Sequence, residues 1–136
     1  MSETVLVTDA GFSAPAPVTA VTLDNIAAHT GTLDLAHTDD PALVEPHLAG
    51  LTLIRVSFPA FSDGRAFTIA RRLRMAGYTG ELRAIGPVIA DQYAMTRRVG
   101  FDSVEIPAEL AARQPEDQWK FRADWKAHDY QSRLRA

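Results

Sequence analysis

LTLIRVSFPAFSDGRAFTIARRLR, residues 51–74, sets the architecture. Its first eight residues are an almost unbroken apolar, β-branched run, the pattern of a strand buried on both faces. Phe58-Pro59 ends that run, and Ser62-Asp63-Gly64-Arg65 supplies turn chemistry. From residue 63 to 76 the period changes to that of a helix. Ala66, Ile69, Ala70, Leu73 and Ala76 fall on one stripe, with Arg65, Arg71, Arg72 and Arg74 mostly outside it. Ser62 or Asp63 is the expected N-cap.

Working toward the C-terminus, Gly77 and Gly80 bracket the helix exit, and ELRAIG (81–86) reads as a second strand. Gly86-Pro87 is expected to open a second helix running to about Val99, with proline in its first turn and Gly100 as its C-cap. Tyr93 and Met95 are expected in the core, and Arg97-Arg98 at a solvated helix end. DSVEI (102–106) is a third strand. Residues 51–106 therefore read β-α-β-α-β, and parallel strands with right-handed crossovers follow. From Pro107 a C-terminal helix is expected, anchored by Trp119, Phe121 and Trp125.

Toward the N-terminus the signals are shorter. Residues 4–7 and 18–23 are β-branched runs separated by turn-forming DAGFSAPAP, and TLDLA (32–36) alternates like a strand. Asp39-Asp40-Pro41 looks like a helix start, with the helix covering about 41–49 and burying Leu43, Val44 and Leu48. The expected whole is a single α/β domain over residues 1–136, a mostly parallel sheet with helices packed on it.

The chain has 136 residues, 46% hydrophobic and 23% charged, with a net charge of −3. That balance suits one soluble domain and argues against a general nucleic-acid binder. The absence of cysteine excludes disulfides, thiolate metal sites and thiol nucleophiles. No run approaches the ~18 apolar residues of a membrane span. MSETVLVTDAG has neither a basic nor a long apolar leader region, so the cytoplasm is the expected location. Charge is segregated: residues 1–54 hold seven acids and no Lys or Arg, whereas residues 55–106 hold eight arginines. Either the two halves neutralise each other within the fold, or the asymmetry serves a homodimer or an anionic partner.

In an open α/β sheet, ligands gather at the carboxyl ends of strands, where helix N-termini present free N–H groups. Two corners qualify, Pro59–Arg65 and Gly86–Asp91, and they adjoin if their strands are neighbours. The candidate ligand-binding residues are Asp63, Gly64, Arg65, Arg83, Asp91 and Gln92. Arg65 sits in the first helical turn, where the macrodipole disfavours a cation. It therefore pairs with an internal acid or holds an oxyanion. Arg83 lies mid-strand and needs a partner such as Asp63 or Asp91 if helices cover both faces. Its ion pair either organises a site or fixes the loops. Asp91 and Gln92 either complement the helix dipole or line the same crevice. The four histidines (29, 37, 47, 128) lack metal-ligand spacing, so no metal is assigned. No GxSxG, Walker or GxGxxG motif occurs. Catalytic residues and cofactors stay unassigned.

The stretches FPAFSDGRAFTIARRLR, GYTGELRAIGPVIADQ and RRVGFDSVEI together resemble the bacterial family catalogued as domain of unknown function 934. Its members carry FPxFxDGR, an arginine-rich ARxLR helix, a GELRA strand, a DQ pair and an RxGFD ending. The likeness runs continuously from Phe58 to Ile106. The position before Gly100, often cysteine in relatives, is Val99 here, so that side chain has no redox role. The resemblance implies a link to assimilatory sulfite reduction and carries a probable-oxidoreductase label. Three readings follow: a non-catalytic accessory protein that binds sulfite reductase or an oxyanion, an enzyme using Asp63, Arg65, Arg83 and Asp91, or a structural dimerisation module.

Overall fold

A computed structural model of the chain describes residues 4–59 and 64–122. Ser62, Asp63 and Trp125 lie outside the described residues, as does the side chain of Phe121. Seven strands form one sheet: β1 (Thr4–Thr8), β2 (Gly11–Ser13), β3 (Val21–Thr22), β4 (Thr32–Leu35), β5 (Leu53–Ser57), β6 (Glu81–Ile85) and β7 (Ser103–Pro107). The helices are α1 (Arg65–Met75), α2 (Tyr93–Arg98), α3 (Ala108–Arg113) and α4 (Glu116–Arg122). The spatial order is β2-β1-β7-β6-β5-β4-β3. Pairs from β3 through β7 are parallel, and β1 is antiparallel to both β2 and β7. The mostly parallel α/β sheet expected from the sequence is the fold observed, with the β-α-β-α-β core in place and the expected C-terminal helix divided into α3 and α4 around Gln114-Pro115.

The strand order is monotonic from β3 to β7. Each crossover steps the same way along the sheet, so right-handed connections bring α1 and α2 onto one face. That face carries Leu33 and Leu35, Ile54 and Val56, Leu82 and Ala84, and Val104 and Ile106, each no more than 1% exposed. The stripe of α1 packs there through Ala66, Ile69, Ala70 and Leu73. Burying each Leu, Ile or Val of this set contributes about 1.5–3 kcal/mol before chain entropy is charged against it. Ala76, one turn beyond, is exposed.

The opposite register positions are polar. Asp34 faces Arg55, Arg55 faces Arg83, and Arg83 faces Ser103 across four adjacent strands. The sequence expectation that Arg83 projects away from the apolar face is correct, but the described helices do not sandwich the sheet. Its neighbours on the strands, rather than helix side chains, supply its partners.

Local structure departs from expectation in several places. The segment 41–49 is not one helix but two short 3-10 turns, Pro41–Leu43 and Glu45–Gly50. Asp40 does cap the first, its Oδ1 accepting from Ala42 N at 2.9 Å. Val44 is buried, yet Leu43 is 59% exposed, because a 3-10 turn of three residues cannot hold the 3.6-residue stripe. Pro46, one position into the second turn, keeps the two from merging into an α-helix. Of the run 18–23 only Val21–Thr22 pairs as a strand. Gly64, not Ser62 or Asp63, is the N-cap of α1. After β6 the chain makes a tight turn at Pro87, Val88 N donating to Gly86 O at 2.8 Å, and helical turns begin only at Ala90, after extended Ile89. Met95 is 53% exposed, whereas Tyr93 is fully buried as expected.

Candidate functional site

The two carboxyl-edge corners do adjoin. β5 and β6 are parallel neighbours, Phe58 N donates to Ile85 O at 2.7 Å, and Gly86 lies against Phe58. Gly86 has φ +138°, and a Cβ there would sit 2.2 Å from Phe58 O, so no other residue fits this close approach. A monotonic strand order, however, has no reversal point at which neighbouring crossovers part and open a crevice. The candidate residues consequently do not converge. Arg65, exposed at the first position of α1, borders a depression of about 400 Å³ with His37, Asp39, Asp40 and Arg72. Gly64 precedes it on the surface. Asp91 and Gln92 form a turn after β6, where Gln92 Oε1 accepts from Ile89 N at 3.4 Å. Arg83 lies on the polar face of the sheet. Asp63 lies outside the described residues.

Arg83 is 6% exposed and fully engaged in a lattice of charges. Its NH1 donates to Glu105 Oε1 at 3.1 Å, its NH2 to Glu81 Oε2 at 3.0 Å and its Nε to Ser103 Oγ at 3.4 Å. Arg55 forks onto Asp34 at 2.6 and 2.8 Å and reaches Glu105 at 3.8 Å. The hydrogen bond to Asp34 outweighs partial burial and raises the Arg55 pKa further. Thr4 donates to the other oxygen of Glu105 at 2.9 Å, so the lattice joins five strands. The acids that Arg83 meets are Glu81 on its own strand and Glu105 on β7, rather than the loop acid Asp91; Asp63 lies outside the described residues. Among the described residues these bonds tie β6 to β7.

A cleft of about 740 Å³ lies at the opposite edge, at the amino ends of β6 and β7 beside β1. Two loops of like placement build it, Thr79-Gly80 before β6 and Gly100-Asp102 before β7. Arg74, near the end of α1, reaches across both. Its Nε donates to Gly100 O at 3.0 Å, its NH1 to Tyr78 O and Gly80 O at 3.0 and 2.8 Å, and its NH2 to Asp102 at 2.8 Å. A guanidinium near a helix C-terminus commonly serves carbonyls this way. Gly100, with φ +119°, lets Arg74 lie against the backbone; a Cβ would meet Arg74 Cγ at 2.6 Å. Asp102 also accepts from Leu82 N at 3.0 Å.

Arg97 is not a solvated end. It pairs with Asp9 through Nε and NH2, both at 3.2 Å, and donates to Phe101 O at 2.6 Å. Asp9 additionally accepts from Tyr93 Oη at 2.5 Å. Asp9 and Asp34 thus come from the acidic first half to serve Arg97 and Arg55 from the basic second half. Neutralisation within one fold accounts for these members of the charge asymmetry.

Arg74, Glu81, Asp102, Asp9 and Arg97 were not among the sequence candidates. The usable signal was the repeated loop pattern ahead of β6 and β7, each a glycine followed closely by an acid. Among the described residues no group of three or more His, Asp or Glu side chains is arranged to hold a metal ion. None of their helices is long and apolar enough to cross a membrane.

Burial pushes the Tyr78 phenol well above its ordinary pKa. Burial does the same for Tyr93, reinforced by its hydrogen bond to Asp9. A phenol whose pKa is raised on folding contributes stability that is complete below pH ~10, its unfolded value, and lost as pH rises above it. Each contributes a slope of up to about 1.4 kcal/mol per pH unit. Stability is therefore expected to fall steeply above pH ~10, with tyrosinate absorbance from these two rings appearing together with loss of circular dichroism. Tyr93→Phe should shallow the slope; ionisation of both rings in the native state would contradict the assignment.

Several positions that carry the family likeness line this cleft: Arg74, Gly80, Glu81, Arg83, Gly100 and Asp102. No curated protein and no solved structure matches the chain. Residues 32–136 match the family described as "Bacterial protein of unknown function (DUF934)", and with that match over most of its length the chain belongs to this family.

Proposed function

We propose that the chain is a non-catalytic accessory protein that acts by binding a partner. The pathway that the family resemblance implies is assimilatory sulfite reduction, with sulfite reductase as the partner. One observation carries the non-catalytic reading. Two guanidinium groups of the shared motif are engaged within the fold: Arg74 on three carbonyls and Asp102, Arg83 on Glu81, Ser103 and Glu105. Arginines that bind a substrate oxyanion keep a fork of N–H groups directed at it. Here the fork geometry goes into joining strands and loops.

The contact surface in this reading is the exposed Arg65 corner. Arg65 and Arg72 stand on α1 across from Asp39 and Asp40, so both signs of charge line the depression. A mixed polar surface suits the rim of a protein contact, where charges steer and register the partner. A bound oxyanion such as sulfite, sulfate or a phosphate ester is the second reading. It is favoured by Arg65, at the N-terminus of α1, and Arg72 bordering one depression.

Affinity capture of the tagged protein from its own cells grown on sulfate tests the reading. Sulfite reductase subunits are expected in the wild-type eluate and absent from the Arg65→Ala eluate. The substitution should change stability by no more than about 0.5 kcal/mol, since Arg65 is exposed. A large stability loss with unchanged capture would refute the role given to Arg65. Wild-type capture without reductase would refute the partner.

A further inference from the structure

We propose that the seam between α1 and the 3-10 turns beside it is the contact through which two copies of this chain form a two-fold dimer. The internal pairs of Arg55 and Arg97 account for only part of the charge segregation. What remains falls into two strips that lie side by side. One is residues 39–45, with Asp39, Asp40 and Glu45 and no basic residue. The other is the outer face of α1, with Arg65, Arg71 and Arg72 and no acid anywhere on the helix. Asp39, Asp40 and Pro41 border one depression with Arg65, Thr68 and Arg72, and a second of about 730 Å³ continues the seam from Glu45 to Ala76.

The two strips do not neutralise each other within one chain. Among the described residues Asp39, Asp40, Glu45, Arg71 and Arg72 form no ion pair. Asp39 and Asp40 each accept only from a backbone N–H, of Ala36 at 2.8 Å and of Ala42 at 2.9 Å. Each strip also presents a large apolar side chain to water. Leu43 is 59% exposed and Met75 80%, the two highest values for large apolar side chains among the described residues. A two-fold axis along the seam lays the acidic strip of each copy on the basic strip of the other and sets Leu43 of each copy against α1 of the other. An isologous contact requires one surface to carry both complementary halves, and this surface does. A partner of a single sign would be repelled by one strip, whereas a second copy satisfies both at once. The contact is small. With 11 residues α1 spans about 17 Å, and two strips each about one helix diameter wide, ~10 Å, fall well short of the ~800 Å² per partner of a tight complex. Dimerisation is therefore weak, with a dissociation constant on the order of 10–100 µM.

A second copy on the seam covers Arg65, so the dimer competes with the partner contact proposed above; that consequence alone rests on the partner-binding reading. Sedimentation velocity of the full-length protein from about 1 to about 500 µM tests the dimer. The sedimentation coefficient should rise with concentration, and about 0.5 M salt should weaken association several-fold. Thr68→Glu with Arg72→Glu cancels the charge of the basic strip, and Ala42→Lys with Glu45→Lys cancels that of the acidic strip; all four positions are exposed. Each double variant alone should associate about tenfold or more weakly than wild type, with thermal melting certifying the fold. Mixed in equal amounts they should associate again, because the introduced lysines of one meet the introduced carboxylates of the other while each keeps one native strip. Should either variant lose its melting transition, Leu43→Ser with Met75→Ser takes its place and should weaken association about tenfold. A wild type that stays monomeric to about 500 µM, unchanged association in the folded variants, or a mixture that stays monomeric would overturn the proposal. A monomer leaves the capture result intact, and capture without reductase leaves the dimer intact, so the two failures are distinct.

Discussion

Arg83→Ala should cost about 3–5 kcal/mol of unfolding free energy, enough to leave a domain of this size barely folded. Glu105 is 7% exposed and takes its short ion pair from Arg83; Arg55 stands farther off at 3.8 Å. Removing the guanidinium strands a carboxylate where water reaches poorly. Glu81 and Ser103 lose the donor that orders them, so the damage spreads through the lattice. Replacing both partners by apolar groups of similar volume, Arg83→Met with Glu105→Leu, should recover most of the loss, because no charge is then left without its partner. Urea denaturation of the two singles and the double measures this coupling. A single-variant cost under about 1 kcal/mol would mean that water solvates the lattice far better than its burial implies.

Trp119→Ala is the other large loss, again about 3–5 kcal/mol. The indole is 1% exposed, meets the Tyr93 ring edge-on at 5.8 Å and donates from Nε1 to Gln114 O at 2.9 Å. It fastens α4 to the body of the fold, and α4 in turn serves the sheet, since Glu116 Oε2 accepts from Phe12 N on β2 at 2.7 Å. Losing the ring opens a cavity against Tyr93 and loosens that contact. Trp119→Phe keeps most of the apolar area and should cost distinctly less, the indole hydrogen bond being worth about 1 kcal/mol net. Chemical denaturation distinguishes these values, and equal costs for Ala and Phe would show that the hydrogen bond rather than the packing fixes the helix.

Periodicity carried the fold. The runs at 51–58, 81–86 and 102–106 became β5, β6 and β7, and the stripe of α1 is the one that packs, because apolar burial is encoded locally at fixed spacing. Where a segment is too short for a period to repeat, as at 41–50, propensity could not separate an α-helix from two 3-10 turns. Proline at 87 gave a plausible start, yet helical turns begin only at Ala90, whose N donates to Gln114 Oε1 at 2.6 Å, a contact from a distant helix end. The site was far less legible. Arg83 was singled out correctly as a charge needing partners, but Glu105, Glu81 and Ser103 are identifiable only once strand register is known. Arg97 looked like a solvated end because Asp9 lies 88 residues away in sequence. The amino-edge cleft depends on strand order, which a linear reading of parallel strands leaves open.

The pairing of β1 with β7 has a consequence for the order of events during synthesis. Val5 lies opposite Ile106 and Val7 opposite Val104, so β1 finds its principal neighbour only when β7, the last of the described strands, has left the ribosome. Until then its partner is β2, three residues long, and a lone hairpin of that size is marginal in water. The four parallel strands between Thr32 and Pro107 can assemble stepwise as each crossover is completed. The N-terminal hairpin must wait for that platform and close the sheet last, after a loop spanning most of the chain has been drawn shut. A nascent chain stalled before β7 should therefore leave residues 4–13 open to proteases, and extension past Pro107 should protect them.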